Sequence, residues 1–223
     1  MPEIKEINYP TFTAADVEIS GERTVFQGFF TMKSYQFRHR LFRGGWSETV
    51  TREMFERGHA VVVLPFNPQT DEVVLIEQIR LGALPSSASP WLLEAVAGMF
   101  GPAEDAEQVA RREAEEEAGL TLGRLVPMLS YLSSPGGTTE RIHLYLGELC
   151  GSVQGGVFGL AEEHEDIKVH VMQRQQAIAL LNAGKIDNAA TVIALQWLSL
   201  HLESVRQQWA VPAAQSKEDR CQR

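Results

Sequence analysis

Residues 98–120, "GMFGPAEDAEQVARREAEEEAGL", hold seven acidic side chains, and Glu115, Glu116 and Glu117 stand in a row. The stretch reads as a helix: Asp105 with Gln108 three residues on forms a capping-box signal, and Gly119 sits where a C′ glycine belongs. At about 100° per residue, Glu113, Glu116 and Glu117 share roughly one third of the helix circumference. Glu113 and Glu117 are like charges at i,i+4, an arrangement that costs about 0.2–0.5 kcal/mol. Glu116 and Glu117 also occupy the last turn, where the helix dipole disfavours anions. A solvated helix face, partly neutralised by Arg111 and Arg112, is the plain alternative. A divalent cation removes the conflict instead, because clustered carboxylates with water and substrate phosphate suit Mg²⁺. Phosphate chemistry is then compatible with an acidic site, since the cation stands between the two negative partners.

The spacing is more specific than the charge. Gly98, Glu104, Arg112, Glu113, Ala114, Glu116, Glu117, Gly119 and Leu120 fill every fixed position of G-x5-E-x7-R-E-U-x-E-E-x-G-U, where U is aliphatic or small. This resembles the Nudix hydrolase signature. The resemblance implies an α/β/α sandwich with a mixed sheet carrying a loop-helix-loop metal site. It also implies hydrolysis of a nucleoside diphosphate linked to another group. The implied cofactor is Mg²⁺, two or three ions per site and replaceable by Mn²⁺. Its implied ligands are Glu113, Glu117 and the backbone carbonyl of Ala97, with Glu116 as a ligand or a support. Arg112 would orient the glutamates, and Glu104 would be structural, paired within its loop.

The likeness extends beyond this box. "RGHAVVVLPFNPQTDEVVLIEQIR", "PWLLEAVAGM", "SSPGGTTER", "EDIKVHV" and "GKIDNAATVIALQWL" are similar to the bacterial ADP-ribose pyrophosphatase branch, and together they cover most of residues 17–210. Pro135 falls 16 residues after Gly119, as in that branch. The resemblance implies hydrolysis of ADP-ribose to AMP and ribose 5-phosphate by a homodimer that exchanges N-terminal β domains. Phe29 would stack on adenine, and Arg52 would reach the base or phosphates from the other subunit. Arg57 and Arg80 are further substrate candidates, and Met99, Ser134 and Glu140 would line the terminal-ribose side. Ordinary strand packing accounts for Phe26, Phe30, Tyr35 and Phe37; a surface ion pair is the alternative for Arg80, and a solvated loop carboxylate for Glu140. The second acidic cluster, "EEHED" (162–166), reads alone as an exposed loop. Beside a metal site, the resemblance makes Glu163 the general base and Glu165 an extra ligand. His164, whose ordinary pKa suits base chemistry, is the runner-up. Alternative functions are a pyrophosphatase for another nucleotide sugar such as GDP-mannose, a silent nucleotide-sensing module, and an interaction protein with a solvated acidic helix. The complete box argues against the last two.

The elements that must position these residues follow from local patterning. Aromatic and β-favouring residues from Val17 to Arg43 suggest two or three antiparallel strands. "AVVVLPFN" (60–67) is a continuous apolar run, the mark of a strand covered on both faces. "EVVLIEQIR" (72–80) follows a turn and completes a hairpin. "WLLEAVAGMF" (91–100) reads as a strand that turns at Gly98, followed by the acidic helix from about Asp105 to Ala118. Segments 125–133, 141–150 and 167–172 read as strands. "RQQAIALLNAG" and "DNAATVIALQWLSLHLESVRQQW" read as helices, the second with a cap signal at Asp187-Asn188. Regular βαβ alternation is missing, and no glycine fingerprint opens a helix after the first strand. The expected fold class is therefore α/β, a sandwich with a mixed sheet. The expected domains are an N-terminal β domain (1–57), a Nudix domain (58–211) and a polar, disordered tail (212–223).

Composition bounds the partners. The chain has 223 residues, a formal charge of -9 and 44% hydrophobic residues. Such an acid balance opposes nucleic-acid binding, which needs a basic face, and no apolar run reaches the roughly 18 residues of a membrane span. Neither a nucleic-acid nor a membrane partner is expected, and the expected location is cytoplasmic. The cysteines, Cys150 and Cys221, are expected to be free thiols.

Overall fold

In chain order the elements are strands β1 (Val17–Gln27), β2 (Thr31–His39), β3 (Val50–Glu56), β4 (Ala60–Asn67), β5 (Glu72–Ile79), β6 (Trp91–Glu94) and β7 (Val96–Met99), then helix α1 (Ala106–Ala118). Strands β8 (Leu122–Leu132), β9 (Arg141–Leu149), β10 (Gly156–Phe158) and β11 (Ile167–Gln173) follow, and helices α2 (Arg174–Asn182) and α3 (Ala189–Trp209) close the order. This computed structural model describes residues 9–101, 103–151 and 153–210. The tail expected at 212–223 and Cys221 lie outside the described residues. Two compact units divide the chain: Met1–Gly58 with Leu132–Glu140, and His59–Tyr131 with Arg141–Arg223.

The first unit is an antiparallel sheet in the order β1-β2-β3. β1 and β2 pair from Val17↔His39 to Gln27↔Thr31, which leaves Gly28–Phe30 as the hairpin tip. The segment Leu132–Glu140 joins this unit through backbone and side-chain bonds to β3. Phe55 N donates to Gly137 O at 2.8 Å, Thr138 Oγ1 donates to Phe55 O at 2.7 Å, and Thr139 Oγ1 donates to the Glu56 carboxylate.

In the second unit the sheet runs β10-β11-β5-β4-β9-β8. β4 and β9 are parallel, while β4–β5, β5–β11 and β10–β11 are antiparallel. Strand alternation sorts the apolar run of β4 between two cores. Val61 and Val63 join Val74 and Ile76 of β5 under Val109, Ala110, Ala114 and Ala118 of α1. Val62, Leu64 and Phe66 face the other way, onto Ala194, Leu195, Leu198, Val205 and Trp209 of α3. The sheet is therefore covered on both faces, as the unbroken apolar run predicts.

The segment 91–99 differs from the sequence expectation. The β4–β5 hairpin pairs only at Phe66↔Val73 and Asn67↔Glu72, then its strands part. β6 lies along β5, and β7 lies along β4. The chain thus changes partner at Ala95 and stays extended through Gly98 to Met99 rather than turning at Gly98. The free-thiol expectation also fails at Cys150, which is disulfide-bonded. No helix among the described residues is long and apolar enough to cross a membrane.

Candidate active site

α1 is terminated by its own sequence. Asp105 accepts from Gln108 N at 2.9 Å while the Gln108 side chain accepts from Asp105 N at 2.9 Å. At the other end Gly119 adopts φ 62°, and its N–H caps the Glu115 carbonyl. Satisfied ends fix the helix length, and the apolar stripe fixes its rotation. Val109, Ala110, Ala114 and Ala118 face the sheet, and that rotation directs Glu113 and Glu117 toward β7.

Both carboxylates meet the Ala97–Gly98 backbone. Glu117 is only 3% exposed; its Oε2 accepts from Ala97 N at 3.1 Å, and its Oε1 lies 3.5 Å from Gln78 Nε2. Glu113 lies so close over Gly98 that a Cβ built there would sit 1.7 Å from its Oε1. Glycine is required at this point by close approach, not by an unusual φ.

Arg112 gathers the remaining acids of the box. Its Nε donates to Glu104 Oε1 at 2.8 Å, Nη1 contacts Glu113 Oε1 at 2.8 Å and Glu116 Oε2 at 2.9 Å, and Nη2 reaches Met99 O at 3.3 Å. Glu104 also accepts from Gly101 N at 2.7 Å, so it anchors the loop before α1. Hydrogen bonds from Arg112 and then from the Gly101 amide hold the Glu104 carboxyl below its ordinary pKa.

The electrostatics separate Glu113 and Glu117 from these neighbours. Burial, opposed by Arg112 and reinforced by Glu116 and Glu165, pushes Glu113 up to about 7. Burial also pushes Glu117 up to about 8; the Ala97 N–H and Arg80 oppose the rise, and Glu113 and Glu165 add to it. A half-buried and a buried carboxyl that resist ionisation side by side mark a candidate functional site.

The donors fit a hard divalent cation. Among the described residues no three His, Cys, Asp or Glu side chains form a ready-made metal cage. Mg²⁺ does not need one: it takes one or two carboxylates and keeps water and phosphate oxygens for its other positions. Glu113, Glu117 and the peptide at Ala97 bring oxygen donors together in one place.

Other residues singled out from the sequence fall around this centre or apart from it. Arg80 Nε is 2.8 Å from Glu94 Oε2, an ion pair with a half-buried strand residue. Glu165 is close enough to add charge to both buried glutamates; its own Oε2 accepts from Leu160 N at 3.1 Å. Glu163 and His164 are exposed on a short 3-10 turn, with His164 left-handed at φ 56°. Met99 is 37% exposed beside the box.

In the first unit, Phe29 is 91% exposed at the β1–β2 tip and rests edge-on against Phe30. Arg57 lies over the Phe30 ring and pairs with Glu140 at 3.2 Å. Glu140 is 7% exposed, which overturns its reading as a solvated loop carboxylate: Arg57 compensates its burial. Arg52 Nη1 donates to Thr51 O at 2.8 Å, and Ser134 O accepts from Gly137 N at 3.0 Å in an exposed turn.

Sequence reasoning missed Gln78 and Glu94. A period-two signal was available for the first: Val74, Ile76, Gln78 and Arg80 occupy one face of "EVVLIEQIR", the face under α1. Glu94 gave no such signal, because its meaning depends on β6 pairing with β5, which places it opposite Ile76.

Residues 56–196 match the model of the NUDIX domain. The chain is 56% identical over 208 residues to the ADP-ribose pyrophosphatase of Escherichia coli (strain K12), covering 93% of this chain and 100% of that protein. It is 49% identical over 210 residues to the ADP-ribose pyrophosphatase of Haemophilus influenzae, covering 93% and 96%. Against the GDP-mannose pyrophosphatase of Pectobacterium atrosepticum the identity is 30% over 184 residues, covering 82% and 94%. A crystal structure of an ADP compounds hydrolase superposes with a TM-score of 0.65 at 20% identity, covering 88% of this chain and 97% of that one. With the box glutamates buried against the Ala97–Gly98 backbone and the domain model spanning both sides of it, the chain belongs to the Nudix family.

Proposed function

We propose that this chain is an ADP-ribose pyrophosphatase, cleaving ADP-ribose with water into AMP and ribose 5-phosphate. The observation that carries the chemistry is the meeting of Glu113 and Glu117, both with raised pKa, at one stretch of backbone. The observation that supports the substrate is 56% identity over 93% of the chain to proteins of that name, against 30% for a GDP-mannose pyrophosphatase.

Divalent cations, two or three Mg²⁺ replaceable by Mn²⁺, would be held by Glu113, Glu117 and the Ala97 carbonyl, with Glu165 as a further ligand and Glu116 as a ligand or support. When bound, they offset charge on the pyrophosphate oxygens and lower the pKa of a coordinated water. The protein's part is to hold these groups and to manage one proton. Arg112 fixes Glu113 and Glu116 from behind and keeps them from following the substrate. Glu163, exposed on a turn two residues from Glu165, accepts the proton of the attacking water. His164 is the competing acceptor. Arg80, tied to Glu94 through Nε, directs its Nη groups to the phosphates. Met99 lies beside the box, where a terminal ribose would be received. Phe29 offers an exposed ring for adenine, and Arg57, paired with Glu140, lies over the neighbouring Phe30 ring. Arg52 and Ser134 complete the substrate contacts from exposed positions.

A homodimer with exchanged N-terminal units belongs to the same proposal. Its support is β1, an eleven-residue edge strand that exposes Val17, Ile19, Val25 and Phe26; such an edge calls for a partner. A hydrolysis panel of ADP-ribose, GDP-mannose, NADH and diadenosine polyphosphates with Mg²⁺ tests the assignment. The highest kcat/KM is expected for ADP-ribose, with AMP as product. A higher value for GDP-mannose would move the protein to the other substrate.

A further inference from the structure

The cap of α3 is bonded into the active-site strand from a long way along the chain. Asn188 caps the helix by accepting from Thr191 N at 3.1 Å, and its Nδ2 donates to Leu93 O at 2.7 Å. Thr191 is 1% exposed, and its Oγ1 accepts from Ala95 N at 2.8 Å. Ala95 is the residue at which the chain leaves β5 and joins β4. Its amide is therefore at the fork of the sheet, where regular ladder bonding is interrupted, and a side chain supplies the acceptor. Two residues on, Ala97 N donates to Glu117. The stretch from Leu93 to Ala97 is thus gripped at its first, third and fifth residues, twice by α3 and once by a proposed metal ligand.

We infer that Asn188 and Thr191 are positioning residues for the metal site, acting through the backbone between Leu93 and Ala97. This inference rests on the reading of Ala97 and Glu117 as metal-holding groups. A backbone carbonyl has no rotamer of its own, so its direction is set by where the peptide on either side is fixed. Thr191 fixes the Ala95 amide and Asn188 fixes the Leu93 carbonyl. Without them the fork can slide, and the Ala97 carbonyl and the amide that holds Glu117 move together. Thr191 is the better anchor of the two, because its hydroxyl is buried and an unsatisfied Ala95 N–H could not turn to water.

Binding of Mn²⁺ alone, followed by the fall in free Mn²⁺ signal in electron paramagnetic resonance on the full chain, tests this without turnover. Thr191→Val keeps the shape and removes the acceptor. Asn188→Asp keeps the helix cap and removes the donor to Leu93, while its added negative charge would favour a cation if charge alone mattered. Both are expected to weaken Mn²⁺ binding about 10- to 100-fold, the usual cost of losing a supporting contact, and Thr191→Ser is expected to restore it. If Thr191→Val and Asn188→Asp melt earlier but bind Mn²⁺ as the parent does, their role is structural and the inference is overturned. Glu117→Gln serves as the control: if it too leaves Mn²⁺ binding unchanged, the metal-site reading itself has failed, and this inference falls with it.

Discussion

Gly98→Ala separates the geometry of the site from the stability of the fold. A Cβ at this position would lie 1.7 Å from Oε1, 1.9 Å from Cδ and 2.3 Å from Cγ of Glu113, and these are the three nearest atoms. All belong to one side chain, so the clash is relieved by rotating Glu113 away and not by moving the backbone. Reaching ordinary contact at 3.4 Å requires Oε1 to retreat by roughly 1.7 Å. Gly98 lies within β7 and is not among the positive-φ residues, so alanine meets no backbone penalty; where the conformation allows it, this change is worth about 0.4–1 kcal/mol in favour of folding. Misplacement of about 1 Å can cost about 10²-fold in rate. The expected result is a loss of kcat/KM for ADP-ribose of about 10²-fold or more, with Tm within about 4 °C of the parent.

AMP release at saturating Mg²⁺, measured beside a thermal melt, reads both quantities. The double variant Gly98→Ala with Glu113→Gln is expected to be no worse than Glu113→Gln alone, because both changes remove the same carboxylate. Activity within twofold of the parent would refute the claim that Glu113 must lie over Gly98. A double variant far below Glu113→Gln would show that the glycine serves something other than Glu113.

Three further outcomes follow from the same site. Glu113 and Glu117 have folded pKa values of about 7 and about 8, above the roughly 4.3 of an unfolded glutamate. The metal-free fold therefore holds extra protons, and the stability they contribute is full below about pH 4.5 and lost as pH rises through about 8. Calorimetry in chelator should show the Tm advantage of Glu117→Gln over the parent growing from pH 5 to pH 8.5, and a constant difference would contradict the burial argument. Arg80→Ala should raise KM about tenfold or more, the scale of a lost charged hydrogen bond, and Glu94→Leu should add little in that background; additive losses would mean that Glu94 does not act through Arg80. Glu163→Gln should slow hydrolysis by about 10²–10⁴ while Mn²⁺ binding stays unchanged, and a larger effect of His164→Ala would transfer the base role to the histidine.

What could be read from the sequence was what the chain encodes locally. Asp105, Gln108 and Gly119 act within one or two turns of α1, and the spacing from Glu113 to Glu117 is one turn. The two-sided burial of β4 followed from an apolar run, and the Asn188 cap from its place before a helical pattern. The residues that escaped depend on partners distant in sequence. Thr191 meets Ala95 across 96 positions, and nothing near either residue announces it. The segment Leu132–Glu140 belongs with β3 although it is 76 or more positions beyond it in the chain, so a domain boundary drawn along the sequence at residue 57 has no means of including it. Glu140 looked like a loop carboxylate for the same reason: its partner, Arg57, lies 83 positions earlier.

The same contrast explains why the box glutamates are not equivalent. Arg112 lies one residue from Glu113 and four from Glu116, and it offsets charge on both. No cation of α1 performs that service for Glu117, whose charged form is favoured by the Ala97 amide and by Arg80. Burial raises both carboxyls; Ala97 N holds Glu117 in place, and Arg112 holds Glu113. In the proposed metal site a cation would meet two carboxyls that both resist ionisation. Since the two interact, the proton belongs to the pair. In the proposed metal site the acidity of α1 would therefore shape both cation affinity and its pH dependence, with Arg112 offsetting the charge of Glu113 and Glu116.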